Sequence, residues 1–152
     1  MASVQDNLSR SRRGVSGGQH LQRPDAQGKR VQVLEREVFE VAVDIRVGSP
    51  SYGQWEAFVL SAANRRQLWV PPGFAQGFCM TSERALFAYK CSALYNPAAE
   101  ATVAWNDPAL AIPWPVEAPE LSARDAAAAR LAEFVRERLP RYGAEDQSPL
   151  RS

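Results

Sequence analysis

Seven short apolar segments between residues 30 and 115 constrain the fold more than any other feature of the sequence. In chain order they read VQVLE, VFEVAVDIRV, QWEAFVLS, RQLWVP, GFCMT, ALFAYKCSALY and TVAWND. β-branched and aromatic residues are frequent in them, and stretches such as GSPSYG and PPGFAQG separate them. Short strands at this spacing are typical of a β-sandwich or a barrel. We therefore predict an all-β fold.

The two ends of the chain have different compositions. Residues 1–29 are polar and rich in Gly, Arg, Ser and Gln, which predicts a segment that stays disordered unless a ligand or a partner orders it. Residues 120–140 contain SARDAAAARLAEFVRERL, in which apolar residues recur near the helical period before Pro140. Ser122 is a candidate N-cap with Asp125 three residues further on. We predict a C-terminal helix over 120–140.

Alternation within two segments indicates which side chains reach the interior. In VFEVAVDIRV, one face carries Phe39, Val41, Val43, Ile45 and Val47, and the other carries Glu40, Ala42, Asp44 and Arg46. The charged face is either a solvated outer surface or the lining of a polar cavity. In ALFAYKCSALY, Tyr89 shares a face with Phe87 and Cys91, and a phenol on an inner face needs a hydrogen-bond partner.

Composition excludes several classes of protein. At 152 residues with 45% hydrophobic content, residues 1–152 are expected to form a single domain. The net charge of +1 gives no basis for binding nucleic acid or an anionic membrane. Neither a membrane span nor a signal peptide is evident, so we expect a cytoplasmic protein. Cys79 and Cys91 lack the spacing of metal ligands and are expected to be reduced and buried, with a disulfide or a reactive thiol as the alternative.

The chain contains one histidine, His20. A single histidine cannot build a multi-histidine metal centre, so we predict no metal. His20 is either a structural residue or a general base, and a base would need an orienting carboxylate.

Seven motifs in order resemble one family of sugar-nucleotide enzymes. They are QDNLSRSRRGVSGGQHLQ, AQGK, VFEVAVDIRVGSPSYGQW, LSAANRRQLWVPPGFAQGF, FAYKCSALYNPAAE, WNDPAL and LSARD. Each is weak alone, but the ordered set, over residues 4–125, resembles the dTDP-4-dehydrorhamnose 3,5-epimerases. The resemblance implies a cupin-type jelly roll, a homodimer and a cofactor-free epimerase. Its substrate would be a dTDP-4-keto-6-deoxyhexose of rhamnose or related deoxysugar biosynthesis, inverted at C3, C5 or both.

The implied chemistry needs a base and an acid on opposite faces of the sugar. A 4-keto group acidifies the hydrogens at C3 and C5, so one group can remove a proton and another can return one. By resemblance, His20 is the base, Asp125 is the carboxylate that orients it, and Tyr89 is the proton donor. Lys29 is the cation beside the enolate oxygen.

The resemblance also implies contacts to the nucleotide sugar. These fall on Gln5, Asn7, Gln76, Tyr95, Glu100 and Arg124. Tyr95 would stack on thymine, and Arg124 stands where a lysine is usual.

Three features depart from the family pattern. Gln76 replaces a histidine that contacts the sugar, and Gly17 replaces an arginine that binds the pyrophosphate. Family members also carry a segment ahead of QDN with strands that cross to the partner subunit. Two alternatives therefore stay open beside the epimerase: an impaired or non-catalytic sugar-nucleotide binder, and a cupin enzyme that acts on another keto substrate.

Overall fold

Two antiparallel sheets pack face to face in the computed structural model, which describes residues 2–12 and 16–143. One sheet has the order β1-β8-β3-β6 and the other the order β5-β4-β7-β2-β9. The strands are β1 Gln5–Arg12, β2 Ser16–Gln22, β3 Lys29–Glu35, β4 Glu37–Asp44, β5 Trp55–Ser61, β6 Gln67–Val70, β7 Phe74–Met80, β8 Arg84–Cys91 and β9 Glu100–Val103. The predicted all-β jelly roll is confirmed, and each of the seven predicted segments overlaps one of the strands β3 to β9.

The prediction of a disordered segment over residues 1–29 is wrong for the part that the structure describes; Met1 and residues 13–15 lie outside the described residues. β1 pairs with β8 along its whole length, from Gln5 opposite Cys91 to Arg12 opposite Arg84. β2 lies between β7 and β9. Backbone hydrogen bonds to strands already in place order both segments, although they lack an apolar pattern of their own.

Apolar side chains form two clusters, one on each face of the five-stranded sheet. The first lies between the sheets and includes Val31, Val33, Val38, Ala42, Leu60, Leu68, Val70, Phe74, Met80, Ala85 and Phe87. The second lies under the C-terminal segment and includes Leu21, Val41, Val43, Ile45, Ala75, Val103, Leu110, Leu131 and Leu139. The two faces predicted for β4 therefore belong to different clusters, and the face that carries Glu40 looks between the sheets.

The solvated alternative for Asp44 and Arg46 is wrong. Their exposed fractions are 1% and 2%. Arg46 Nε donates to Asp44 Oδ1 and Arg46 Nη2 to Asp44 Oδ2, each at 2.9 Å. Ser49 and Ser51 donate to the same carboxylate. The pair can be buried because Asp44, Arg46 and the two serines satisfy one another's hydrogen bonds.

The C-terminal helix is present but short. α1 spans Ala123–Ala126, and the predicted extent of 120–140 is wrong, since up to residue 143, where the described part of the chain ends, only two single 3-10 turns follow, Leu131–Glu133 and Arg136–Arg138. Tertiary hydrogen bonds take the place of helical ones: Ala104 N donates to Ala129 O, and Leu131 N donates to Asp107 Oδ2. Burial of Leu131 and Leu139 against β4 and β7 then outweighs the helix propensity of the alanine run.

Both cysteines are buried and free, as predicted. Burial raises the pKa of the Cys79 thiol to about 11 and also raises the pKa of Cys91. Within residues 2–12 and 16–143, no helix has the length and apolar character needed to cross a membrane.

Candidate active site

A cavity of 330 Å³ opens between the two sheets. Eight of the ten predicted site residues line it, namely Gln5, Asn7, His20, Lys29, Gln76, Tyr89, Tyr95 and Glu100. The other two, Arg124 and Asp125, lie on α1 and contact lining residues. Residues from six strands and from α1 thus meet at one place.

His20 lies on β2 between two carboxylates. Its Nε2 is 2.8 Å from Asp125 Oδ1, and its Nδ1 is 2.6 Å from Glu100 Oε1. The structure therefore brings together the histidine and the aspartate that the family resemblance pairs across more than a hundred residues.

The first turn of α1 fixes Asp125. Ser122 caps the helix by accepting a hydrogen bond from Asp125 N, as its sequence position predicts, and its hydroxyl donates to Asp125 Oδ2 at 2.9 Å. Asp125 is 6% exposed. A carboxylate held by its own helix cap has little freedom to leave the histidine.

The two carboxylates set the charge of His20. Burial on its own would lower the pKa of His20, but the hydrogen bonds with Asp125 and Glu100 outweigh burial and raise the pKa above its ordinary value of 6.5. Burial would raise the pKa of each acid, but the contact with His20 outweighs it at Asp125, and the hydrogen bond from Tyr95 together with the contact with His20 outweighs it at Glu100. The pKa values of both acids are therefore lowered. Both contacts stabilise the protonated ring relative to the neutral one, and a ring nitrogen held by a carboxylate must be released before it can accept a proton.

Sequence reasoning placed Glu100 among the sugar contacts and missed its contact with His20. Glu100 Oε2 accepts a hydrogen bond from Tyr95 Oη at 2.7 Å and pairs with Arg124 Nη1. β9 pairs with β2 so that Gln22 lies opposite Glu100 and His20 lies opposite Thr102. This register is the only signal that brings Glu100 near the histidine, and it cannot be read from spacing along the chain.

Tyr89 and Lys29 approach the cavity from the wall opposite His20. They lie on β8 and β3 of the four-stranded sheet, whereas His20 lies on β2 of the five-stranded sheet. Tyr89 stacks on Phe87 with 6.0 Å between ring centroids, which confirms that the two share a face. Burial raises the pKa of Tyr89 and lowers the pKa of Lys29. The phenol therefore holds its proton at neutral pH, and the Lys29 amine lies where water solvates it weakly.

Gln5 and Asn7 on β1 contribute amide groups to the rim. Gln5 Nε2 donates to Asn7 Oδ1 at 2.9 Å, and Gln5 Oε1 accepts from Tyr95 N at 2.8 Å. The Tyr95 ring is 50% exposed. These contacts connect β1 to the loop before β9.

Gln76 lies on β7 beside a buried acid that sequence reasoning did not single out. Gln76 Nε2 donates to Glu40 Oε2 at 2.9 Å, and Glu40 is 0% exposed. Burial raises the pKa of Glu40 to about 7, against the opposite effects of Gln76 and Lys29. The signal for Glu40 in the sequence was its position on the same strand face as the apolar Ala42, which lies between the sheets.

Gly17 packs against an aromatic wall of the cavity. A Cβ at this position would lie 2.8 Å from Phe78 Cε1. Phe78 lines the cavity and packs on Phe87 with 5.2 Å between ring centroids. Any side chain at position 17 would therefore require the Phe78 ring to move.

Comparisons with known proteins agree with this site. The sequence profile described as dTDP-4-dehydrorhamnose 3,5-epimerase matches residues 1–133. The dTDP-4-dehydrorhamnose 3,5-epimerase of Salmonella typhimurium is 54% identical over 127 residues, covering 82% of this chain and 69% of that protein. The Neisseria gonorrhoeae enzyme of the same name is 52% identical over 125 residues, covering 82% of this chain and 38% of that protein. The chain thus spans well under half of the Neisseria relative.

A solved structure has the same fold. It is dTDP-6-deoxy-D-glucose-3,5-epimerase RmlC from Legionella pneumophila in complex with dTDP-4-keto-L-rhamnose, with a TM-score of 0.91 and 53% identity. The match covers 94% of this chain and 77% of that one. On the profile, the sequence identity and the fold together, the chain belongs to the dTDP-4-dehydrorhamnose 3,5-epimerase family.

Proposed function

We propose that the chain epimerises a dTDP-4-keto-6-deoxyhexose at C3, C5 or both by removing and returning a proton. One observation carries the proposal: His20, backed by a buried carboxylate, faces Tyr89 across a 330 Å³ cavity. Base and acid on opposite walls are what inversion of a carbon requires. The Legionella relative was solved with a 4-keto sugar nucleotide bound, which supports this class of substrate.

In the proposed reaction, His20 Nδ1 takes the proton from the carbon next to the ketone. The electron pair of the C–H bond forms the carbon–carbon double bond of an enolate, and the ketone oxygen takes the negative charge. Lys29 stabilises that charge. Tyr89 then donates its proton to the opposite face of the carbon, and solvent restores the protonation states of both side chains. The proposal uses no cofactor and no metal.

Glu100 must release Nδ1 before the first step. Asp125 is held by Ser122 and by its own helix, while Glu100 is bound to the half-exposed side chains of Tyr95 and Arg124. We therefore expect an entering sugar to displace Glu100 and not Asp125. Release of Glu100 lowers the pKa of His20, because one hydrogen-bonded negative charge is removed, and so generates the base at the moment of binding.

The remaining predicted residues are proposed to bind the nucleotide. Gln5, Asn7 and Arg124 offer polar groups at the rim, and the exposed Tyr95 ring offers a face for thymine. A homodimer and a cytoplasmic location remain proposals that rest on the family.

Proton NMR of dTDP-4-keto-6-deoxyglucose in D₂O tests the proposal. The C3 and C5 proton signals should disappear with the protein and persist with His20→Gln. Loss at both carbons, or at one, supports a double or a single epimerase. Persistence of both signals with the unsubstituted protein refutes the proposal, and binding without exchange would leave the non-catalytic alternative.

A further inference from the structure

Glu40 and Gln76 form a pair that the proton transfers do not use. Gln76 lies opposite Ala42 in the β4–β7 ladder, so its side chain is diagonal to Glu40 on the same face of the sheet. Its Nε2 donates to Glu40 Oε2 at 2.9 Å. Gln76 lines the cavity, and Glu40 lies behind it with 0% exposure.

The carboxylate decides which way the amide points. A carboxylate can only accept hydrogen bonds, so the amide nitrogen must face Glu40 and the amide oxygen must lie on the other branch. Among residues 2–12 and 16–143, the contact with Glu40 is the one hydrogen bond of the Gln76 side chain. The amide oxygen is thus left for whatever enters the cavity.

We propose that Glu40 is a positioning residue for sugar specificity: it orients the Gln76 amide so that the carbonyl oxygen accepts a hydrogen bond from a hydroxyl of the bound sugar. The inference rests on the proposed function, since it needs a sugar in this cavity. A ketone oxygen has no proton to donate and cannot satisfy this acceptor. The site therefore selects sugars that carry a hydroxyl at the carbon facing Gln76.

The surroundings of Glu40 make the orientation depend on its charge. The titratable groups that face it are Lys29 from β3 and Tyr89 from β8. Phe58 on β5 and Phe78 on β7 lie opposite it in the two ladders. Glu40 Oε1 is buried and has no hydrogen-bond partner among the residues that the structure describes, and burial raises the pKa of Glu40 to about 7. Below that pH the protonated carboxyl can also donate, and the amide orientation is no longer fixed.

Binding measurements on four variants test the inference. Calorimetry gives Kd for dTDP and for dTDP-glucose. The ratio of the Kd of dTDP to the Kd of dTDP-glucose isolates the contribution of the sugar, and a larger ratio means a larger contribution. The variants are Glu40→Gln, Gln76→Met, the double variant and the control Glu56→Gln, in which Glu56 is an exposed glutamate on β5.

The ratio should fall by about twofold to tenfold in each single variant, the usual effect of one neutral hydrogen bond. The double variant should lose no more than Gln76→Met, because Glu40 acts through Gln76. The Kd of dTDP alone should be the same in all four variants as in the unsubstituted protein. The ratio in the control Glu56→Gln should also equal that of the unsubstituted protein. In the unsubstituted protein the ratio should be larger about one pH unit above the pKa of Glu40 than about one unit below it, and Glu40→Gln should remove this difference.

Three results would overturn the inference. These are a ratio near one in the unsubstituted protein, a ratio that Glu40→Gln leaves unchanged, and additive losses in the double variant. The deuterium exchange experiment judges the proposed function separately. If the protein exchanges protons but Glu40→Gln leaves the ratio unchanged, only this inference is refuted. If Glu40→Gln changes the ratio but the protein exchanges no protons, only the proposed epimerase activity is refuted.

Discussion

Replacing Glu40 by Gln should stabilise the folded protein, and the gain should grow with pH. Burial raises the pKa of Glu40 from its ordinary value of 4.5 to about 7. Between these two values the folded chain binds a proton that the unfolded chain has lost. The free energy of unfolding of the unsubstituted protein therefore falls as pH rises from 4.5 to about 7, and glutamine, which does not ionise, escapes this loss.

The structure sets the size of the effect. At about 1.4 kcal/mol for each pH unit between the two pKa values, the full cost of ionising Glu40 is about 3 kcal/mol. Lys29 reduces the gain, because its own buried cation loses the nearby negative charge when Glu40 is replaced. We expect Glu40→Gln to be about 1–3 kcal/mol more stable than the unsubstituted chain at about pH 8, and much closer to it at about pH 5.

Urea unfolding at the two pH values measures this difference. The exposed Glu56→Gln serves as the control and should change stability by less than about 0.5 kcal/mol at either pH. A gain of equal size at both pH values would show that packing, and not charge, is responsible. A loss of stability at about pH 8 would show that Glu40 is compensated in the fold and would refute the reasoning.

Three further predictions concern the dyad and its neighbours. Asp125→Asn should lower the exchange rate by about one to two powers of ten with little change in KM, because a charge-assisted hydrogen bond contributes about 1.5–3 kcal/mol. The control is Asp6→Asn, at an exposed acid. A change confined to KM would contradict the role of Asp125 in orienting His20. Glu100→Gln should move the acidic limb of the kcat/KM profile, which reports the free protein, to lower pH, since removal of the charge lowers the pKa of His20. The limb of the kcat profile should not move, because the bound sugar has already displaced Glu100, and an unmoved kcat/KM limb would contradict the role of Glu100 in setting the charge of His20. Gly17→Arg should change the near-ultraviolet circular dichroism of the aromatic side chains and weaken sugar binding, because the new Cβ displaces the Phe78 ring. Tighter binding would show that the ring moves at little cost.

The strands of the central region could be predicted from sequence because each carries a local signal. Val31, Phe39 and Leu60 lie in runs whose β-branched and aromatic content favours a strand whatever follows. β1 and β2 carry no such signal, and their order depends on pairing with β8, β7 and β9. The alanine run after Asp125 carries a local helix signal, but most of it does not form a helix. The hydrogen bond from Leu131 N to Asp107 that replaces the helical one joins residues far apart in the chain, so the local sequence does not indicate it.

For the site as well, motifs could identify some residues, whereas contacts that depend on the fold could not be predicted. His20, Tyr89, Lys29 and Asp125 could be placed by motif, and the structure brings His20 and Asp125 within 2.8 Å. The contact between His20 and Glu100 depends on strand register, which spacing along the chain does not contain. The raised pKa of Glu40 depends on burial between two sheets, which no single segment determines.

Deuterium incorporation followed carbon by carbon, together with the yield of inverted product, tests the central claim most directly. The unsubstituted protein, Tyr89→Phe and the control Tyr52→Phe, whose ring packs in the other cluster, are each incubated with dTDP-4-keto-6-deoxyglucose in D₂O. If His20 is the base and Tyr89 the acid on the opposite face, Tyr89→Phe should keep part of the exchange at the first carbon while the inverted product disappears, and Tyr52→Phe should behave like the unsubstituted protein. Equal loss of exchange and product in Tyr89→Phe, or no exchange in the unsubstituted protein, would contradict the account.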